Sequence, residues 1–586
     1  MRLMNVISRK NLTGASLEKV FYCFLFVAGV FCIPSCFISR HVTAGVLGVA
    51  LLVGVYSVIW AWRARAIRIT PLFLLVLLFS ACWLFYQFFS SALAWHGWIE
   101  YISFVLLFFV FGQRDFDERC LKRYYFICSV VGVCMSFWGI FQYLGVAQVY
   151  NRFEPVTGSF ENPAGVAIFL ASLLPASLFF VKKRGKWSRV WGYFACLFSC
   201  VVVLLSNSRT GVLIVILLCL LYFFQNRSFA RWSKGNKKYL VAGVIACVFL
   251  LFVGLYYWKK DSADGRILIW LCSWDMFREH WLAGVGSGRF QAEYMLYQAE
   301  YFRQNPDSVF AMLADSVKHP FNEYLKILVE YGILGFSLFM VAVTNLVRTW
   351  WGNREKVYLF PVFGSVLAIA VGAFFSYPLD YPGIVLVLVL NMAVLSYYQS
   401  VIREIGRKSW VKFVAVGGVI FALLFLGVVC SYGRAEYEWN KIARASLAGE
   451  TREMLPRYQK LCRWMGQEGL FLYNFGAELQ QVGEYEASTR VLERCCSRLN
   501  DYDVQLLLAE NYTRLNMHER AKECLLTASD MCPVRFVPLY KLMNICLKEG
   551  KTEEAKRYAQ NIVNKPIKIH SMRVDRIKDM ARQVLR

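Results

Sequence analysis

Apolar residues come in long runs through the first three quarters of the chain. Each run is close to the roughly 18 residues a helix needs to cross a bilayer. They lie near 21–38, 42–62, 71–90, 97–112, 124–147, 163–181, 187–206, 209–225, 239–258, 324–347, 357–376, 381–400 and 411–432. Each is expected to be a helix, because lipid cannot satisfy an open strand edge. The expected fold class is all-α: a polytopic membrane helix bundle of about 13 transmembrane helices, then a soluble helical-repeat domain. Composition agrees, since 58% hydrophobic and 18% charged residues over 586 positions are too apolar for an ordinary water-soluble chain.

The polar positions between the runs set the orientation. The segments 1–20, 63–70, 113–123, 182–189, 226–238, 348–356 and 401–412 hold roughly 28 Lys or Arg residues. The alternate loops at 39–41, 91–96, 148–162 and 377–380 hold only Arg40 and Arg152. By the positive-inside rule the N-terminus is cytoplasmic, and an odd number of spans puts everything after residue 432 outside. The net charge of +25 is then mostly topological and calls for no nucleic-acid partner. No cleavable signal peptide is evident. The 19 cysteines lie mostly in apolar helices, where cysteine behaves as a small hydrophobe, and no C-x-x-C pair suggests a metal or redox motif.

After residue 433 the pattern becomes charged and amphipathic, and a period emerges. Gly449, Gly483, Asn516 and Gly550 recur at spacings of 34, 33 and 34. Ser488, Ala521 and Ala555 follow the last three by five residues. Gly or Asn suits the turn between two helices, and a small residue lets the second helix pack closely on the first. This resembles the tetratricopeptide repeat, and such arrays bind partners through a concave face. The expected domains are 1–432, a transmembrane domain with a large periplasmic loop at about 259–322, and 433–586, a periplasmic repeat domain. The alternative reading of the repeats is a spacer that only stabilises the membrane domain.

Ionisable residues at membrane depth are functional candidates, and the positive-inside rule already accounts for those at the cytoplasmic ends. Four stretches at the outer ends remain. In "SNSRTG" Arg209 sits in the first turn of a helix, where a cation is disfavoured unless an anion is near; the bland reading is an arginine snorkelling to headgroups. The loop 259–322 carries Arg266 and then "GVGSGRF", with Gly284, Gly286 and Gly288 in alternation before Arg289. Those glycines permit a tight turn or a close backbone approach. In "KHPFNEYLK", His319, Asn322 and Glu323 share a face if the next helix begins early, with Pro320 in its first turn. In "GSFENPAG", Asn162 precedes Pro163 and can cap a helix.

Taken in this order, "GSFENPAGVAIFLASLLPASL", "SNSRTGVLIVILL", "GRILIWLCSWDMFREHWLAGVGSGRFQAEY" and "HPFNEYLKILVEYGILG" resemble the O-antigen ligase and polymerase superfamily. The resemblance implies a bacterial inner-membrane glycosyltransferase acting on the periplasmic side without a metal or other cofactor. A glycan on undecaprenyl diphosphate is transferred, with inversion, to an acceptor hydroxyl. Lipid A core is the favoured acceptor; chain polymerisation and protein O-glycosylation are the alternatives. The expected partners are that lipid-linked glycan, its acceptor, membrane lipids and a protein met through the repeats.

The resemblance makes Arg209 and Arg266 the diphosphate-binding pair, His319 or Glu323 the base, and Asn322, Asn162, Gly286 and Arg289 supporting residues. One departure stands out. Nine residues separate Asn322 from "GILG" at 332–335, and in that register the family's histidine position holds Phe321. Phenylalanine cannot take a proton, so His319 replaces the base only if the backbone brings it round. The rivals from other classes are a lipid-glycan flippase, which would carry charges deep in several helices, and a non-catalytic membrane scaffold.

Overall fold

The computed structural model describes residues 14–586 except 32–36, 38–39, 64–65, 91–93, 150–153, 225–253, 255, 258–259 and 407. The first part of the bundle comprises α1 (Gly14–Phe26), α2 (Arg40–Arg63), α3 (Pro71–Ser90), α4 (Trp95–Gly112) and α5 (Glu118–Tyr143). It continues with α6 (Pro163–Val181), α7 (Lys186–Leu205) and α8 (Arg209–Phe224). Two helices, α9 (Lys260–Glu279) and α10 (Phe290–Gln304), occupy the long loop. The bundle closes with α11 (Glu323–Gly352), α12 (Phe360–Phe375), α13 (Pro382–Tyr397) and α14 (Lys408–Ala445). Among the described residues eight helices are long and apolar enough to cross a membrane, and four shorter apolar helices accompany them. Twelve of the expected spans fall on these helices. The run at 239–258 lies almost wholly outside the described residues.

The centre of the bundle is α6, whose apolar window is 94% buried within the protein. Small residues let its neighbours approach, as membrane helices require where no hydrophobic force separates protein from lipid. A Cβ on Gly211 of α8 would stand 2.5 Å from the Ala167 methyl of α6. At the Lys- and Arg-rich end, β1 (Ile67–Ile69) pairs antiparallel with β2 (Arg403–Ile405), and Arg68 meets Asp115 at 2.9 Å.

At the opposite end α11 is broken. Gly332 has φ 62° and ψ −167°, and the freed backbone is taken up by the glycine loop after α9. Val285 N–H donates to the Val329 carbonyl and Gly286 N–H to that of Glu330, both at 3.0 Å. In return Ile333 N–H donates to the Trp281 carbonyl at 2.8 Å. The close approach explains two glycines: a Cβ on Gly284 would lie 2.4 Å from the Glu330 carbonyl carbon, and one on Gly332 2.3 Å from the Leu282 oxygen. The alternating glycines therefore form a backbone clasp between loop and helix.

Helix α14 runs without a break past the expected domain boundary at 432–433. Its end, at Trp439 and Ile442, is buried with the helices of the tail. Those are α15 (Thr451–Met465), α16 (Gly469–Gln481), α17 (Tyr485–Cys496), α18 (Tyr502–Arg514), α19 (His518–Met531), α20 (Val537–Lys548), α21 (Thr552–Asn564) and α22 (Met572–Leu585). They stack as helical hairpins. The periodic residues Gly449, Gly483, Asn516 and Gly550 have φ of 103°, 88°, 58° and 72°, the left-handed turn that ends one helix and starts the next. Ser488, Ala521 and Ala555 are fully buried where the paired helices touch.

Gly284→Ala is expected to cost at least ~2 kcal/mol, since it adds both a positive-φ penalty and a backbone clash. The readout is the thermal unfolding midpoint in detergent. Gly265→Ala, in α9 with no atom within 4 Å of the added methyl, is expected to be neutral or stabilising by up to about 1 kcal/mol.

Candidate functional site

The first half of the site is made by the start of α8 and the first turns of α9. Ser208 accepts from Gly211 N–H at 3.2 Å and caps α8, which leaves Arg209 as its first residue. Its guanidinium donates to the Ser262 hydroxyl of α9 at 3.2 Å. Arg266 lies one turn further along α9, and both arginines line a cavity of about 220 Å³ with Tyr256, Ile267, Trp270 and Phe375. No carboxylate is among the described residues lining it. Burial and then the neighbouring Arg209 push the Arg266 guanidinium down to about 10, against a smaller opposing pull from Tyr377. It stays charged at neutral pH, so two cations are held together on an apolar wall. That arrangement favours an anion.

The second half is the strap that leads into α11. Asn322, 8% exposed, is the N-cap: its side-chain oxygen accepts from Leu325 N–H at 3.1 Å. The helix therefore begins at Glu323, and Phe321 has φ 53°, a left-handed conformation that cannot be helical. The expected early start, with Pro320 in the first turn and His319 sharing a helix face with Glu323, is corrected by that cap. His319 instead lies on an extended strap. The twist at Phe321 sends the two rings to different partners.

His319 turns toward the short connection between α12 and α13. Its Nδ1 lies 2.8 Å from Asp380 Oδ2, and its ring stacks on Tyr377 at 4.4 Å and 16°. Phe321 packs edge-on against the same Tyr377, and the Arg266 guanidinium lies 5.3 Å over the Phe321 ring. Trp270, one helical turn past Arg266, donates its indole N–H to the Pro320 carbonyl at 2.9 Å. Phe321 is thus the ledge on which Arg266 rests. His319 and the arginine cavity are joined through it.

Two of the remaining candidates, Asn162 and Glu323, hold this assembly. Asn162 caps α6 by accepting from Ala164 N–H at 2.8 Å, and its amide donates to the Tyr377 hydroxyl at 3.0 Å. Glu323 is 4% exposed and accepts from Leu379 N–H at 3.0 Å, which fixes the turn at Pro378–Asp380. Gly286 belongs to the clasp, and Arg289 pairs with Glu293 along α10 at 3.0 Å, neither lining the arginine cavity. A second cavity of about 360 Å³ opens beside the turn. Leu379, Ser287 and Glu100 line it together with apolar residues that include Phe104, Leu388 and Met392.

Three residues here escaped the sequence reading: Asp380, Tyr377 and Lys326. Lys326 Nζ lies 2.8 Å from Asp380 Oδ1, so one carboxylate joins lysine and histidine. Burial opposes ionisation of Asp380, but Lys326 and His319 outweigh it and hold its carboxyl below the usual carboxylate range. The available signal was "SYPLDYPG", a short external connection with one acid between two apolar runs. Among the described residues no group of three His, Cys, Asp or Glu is placed to hold a metal ion.

Residues 194–340 match the family model described as O-Antigen ligase. The matched stretch runs from α7 into α11 and takes in Arg209, Arg266 and the His319 strap, while Asn162 and Asp380 fall outside it. No curated protein matches the chain. The match supports the O-antigen ligase superfamily for this chain, and with it an O-antigen ligase or polymerase type of function.

Proposed function

We propose that the protein is an inner-membrane glycosyltransferase of the O-antigen ligase type. It moves a glycan from undecaprenyl diphosphate to an acceptor hydroxyl, lipid A core being the favoured acceptor. The observation that carries this reading is the pair Arg209 and Arg266 in one cavity, joined through Phe321 and Tyr377 to a histidine backed by a carboxylate. The asymmetry of Lys and Arg between loops supports a cytoplasmic N-terminus and a periplasmic site. The left-handed turns at the 33- and 34-residue spacings support reading the tail as tetratricopeptide-like repeats. Twelve described apolar helices and the run at 239–258 support thirteen spans, and the change of pattern near 433 supports the division into two domains.

In this scheme the diphosphate sits against the two guanidinium groups. Asp380 beside Nδ1 sets the imidazole so that Nε2 takes the proton of the acceptor hydroxyl. The hydroxyl oxygen attacks the anomeric carbon from the face opposite the diphosphate, and the bond from that carbon to the phosphate oxygen breaks. The leaving electron pair stays on the diphosphate, where Arg209 and Arg266 neutralise it. The protonated imidazole is stabilised by Asp380, and the product is inverted. Glu323 acts as a positioning residue that locks the turn bearing Asp380. The second cavity, lined by one acid and no arginine, suits an acceptor that carries no diphosphate.

Transfer from an undecaprenyl-diphosphate-linked glycan by Arg209→Ala and by Arg266→Ala is expected to fall at least about 100-fold at unchanged protein level. Normal transfer by both variants would sink the proposed site. A strain lacking the protein should accumulate long glycan on the carrier; single repeat units there would mark a polymerase instead.

Asp380→Asn is expected to lower kcat roughly 10- to 100-fold with little change in KM for the lipid-linked donor. Glu323→Gln keeps an oxygen for Leu379 N–H and should retain most activity. The reverse order of effects would make Glu323 the base.

A further inference from the structure

The tail does not hang free of the site. Leu268 and Met276 of α9 and Tyr294 of α10 are buried in one cluster with Ala528, Met531 and Cys532 of the repeat stack. The helix that carries Arg266 and the loop that leads to His319 therefore share a core with α19 and the turn that follows it.

Within that core one polar side chain ties three segments together. Gln298 of α10 is fully buried. Its amide nitrogen donates to the Met531 carbonyl at 2.7 Å and to the Asp315 carbonyl at 3.1 Å. Its oxygen accepts from the Tyr294 hydroxyl at 2.9 Å. Met531 ends α19, so its carbonyl has no partner further along that helix. Asp315 begins the strap, four residues before His319. One amide thus satisfies a carbonyl of the stack and a carbonyl of the strap. Parting the two would leave buried acceptors unmet, which folded proteins avoid. A second tie lies beside it: Arg535, just past α19, reaches Asp315 Oδ1 at 2.6 Å.

We propose that Gln298 is a positioning residue through which the repeat stack fixes the His319 strap. The stack is then part of the transferase site, and its α19 face is committed to the strap. The proposal rests on the reading of His319 as the base. Gln298→Glu tests it, because a carboxylate offers no donor to either carbonyl and sets negative charge against both.

The measurements are made on the full chain in lipid nanodiscs. They are hydrogen exchange across residues 313–320, kcat for transfer from an undecaprenyl-diphosphate-linked glycan, and binding of undecaprenyl diphosphate alone. Gln298→Glu is expected to speed exchange in the strap about tenfold and to lower kcat by a similar factor, with diphosphate affinity within about twofold of wild type. Unchanged exchange overturns the proposal, and so does faster exchange with unchanged kcat. If Gln298→Glu does not fold, a charge swap carries the test. Arg535→Asp should loosen the strap and slow transfer, and adding Asp315→Arg should restore both; equal loss in the single and double variants overturns the proposal. If the wild-type chain transfers no glycan, the functional reading fails, while the exchange arm still decides whether the stack holds the strap.

Discussion

The Asp380 carboxylate, shared between His319 and Lys326, is the interaction on which the rest of the site depends. A carboxylate this enclosed is costly to ionise unless opposite charge is at hand. Lys326 supplies that charge from the first turn of α11, and His319 meets the other oxygen from the strap. The turn at Pro378–Asp380 is also held by Glu323, whose side chain accepts from Leu379 N–H. Removing Lys326 would leave the partly buried Asp380 carboxylate without its lysine. In the proposed mechanism the contact with His319 occupies Nδ1 and leaves the other imidazole nitrogen for the substrate. An imidazole beside a carboxylate at Nδ1 offers Nε2 as the base.

That pairing works only if strap, turn and arginine helix keep their places, and backbone and side-chain ties secure this. The break at Gly332 lets α11 accept the glycine clasp after α9, so the long loop is pinned at a point beyond the strap. Asn322 starts α11 at a fixed residue, and the left-handed Phe321 turns the chain immediately before it. Trp270 ties the strap to α9 one turn past Arg266. Arg266 of the arginine cavity and the histidine strap are thereby tied to each other. Tyr377 completes the join by stacking on His319 while its hydroxyl is held by the cap of α6.

What could be read from the chain follows from how local each signal is. The apolar runs predicted helices because crossing lipid leaves no other choice, and the described helices match twelve of them to within a few residues at most ends. The turns at Gly483, Asn516 and Gly550 were legible because each repeat must solve the same local problem. Arg209 was visible as a cation at a helix start, and Arg266 as the cation that opens an apolar stretch of the long loop. The contact between His319 and Asp380 was not, because those residues are 61 positions apart and only the fold brings them together. The register that sets Phe321 where a histidine is expected left the course of His319 open, since a family position shows which residue is replaced and not where its neighbours turn. The early helix start at Pro320 failed for a related reason: both Pro320 and Asn322 can begin a helix, and the side-chain cap of Asn322 decided between them.

The most direct measurement of this account is chemical rescue of the base. His319→Ala, assayed for transfer from an undecaprenyl-diphosphate-linked glycan, should lose activity by roughly 100-fold or more. Added imidazole should restore part of it, because the cavity left by the ring still faces Asp380. Arg266→Ala should not respond to imidazole. Transfer by His319→Ala at the wild-type rate without imidazole would contradict the account.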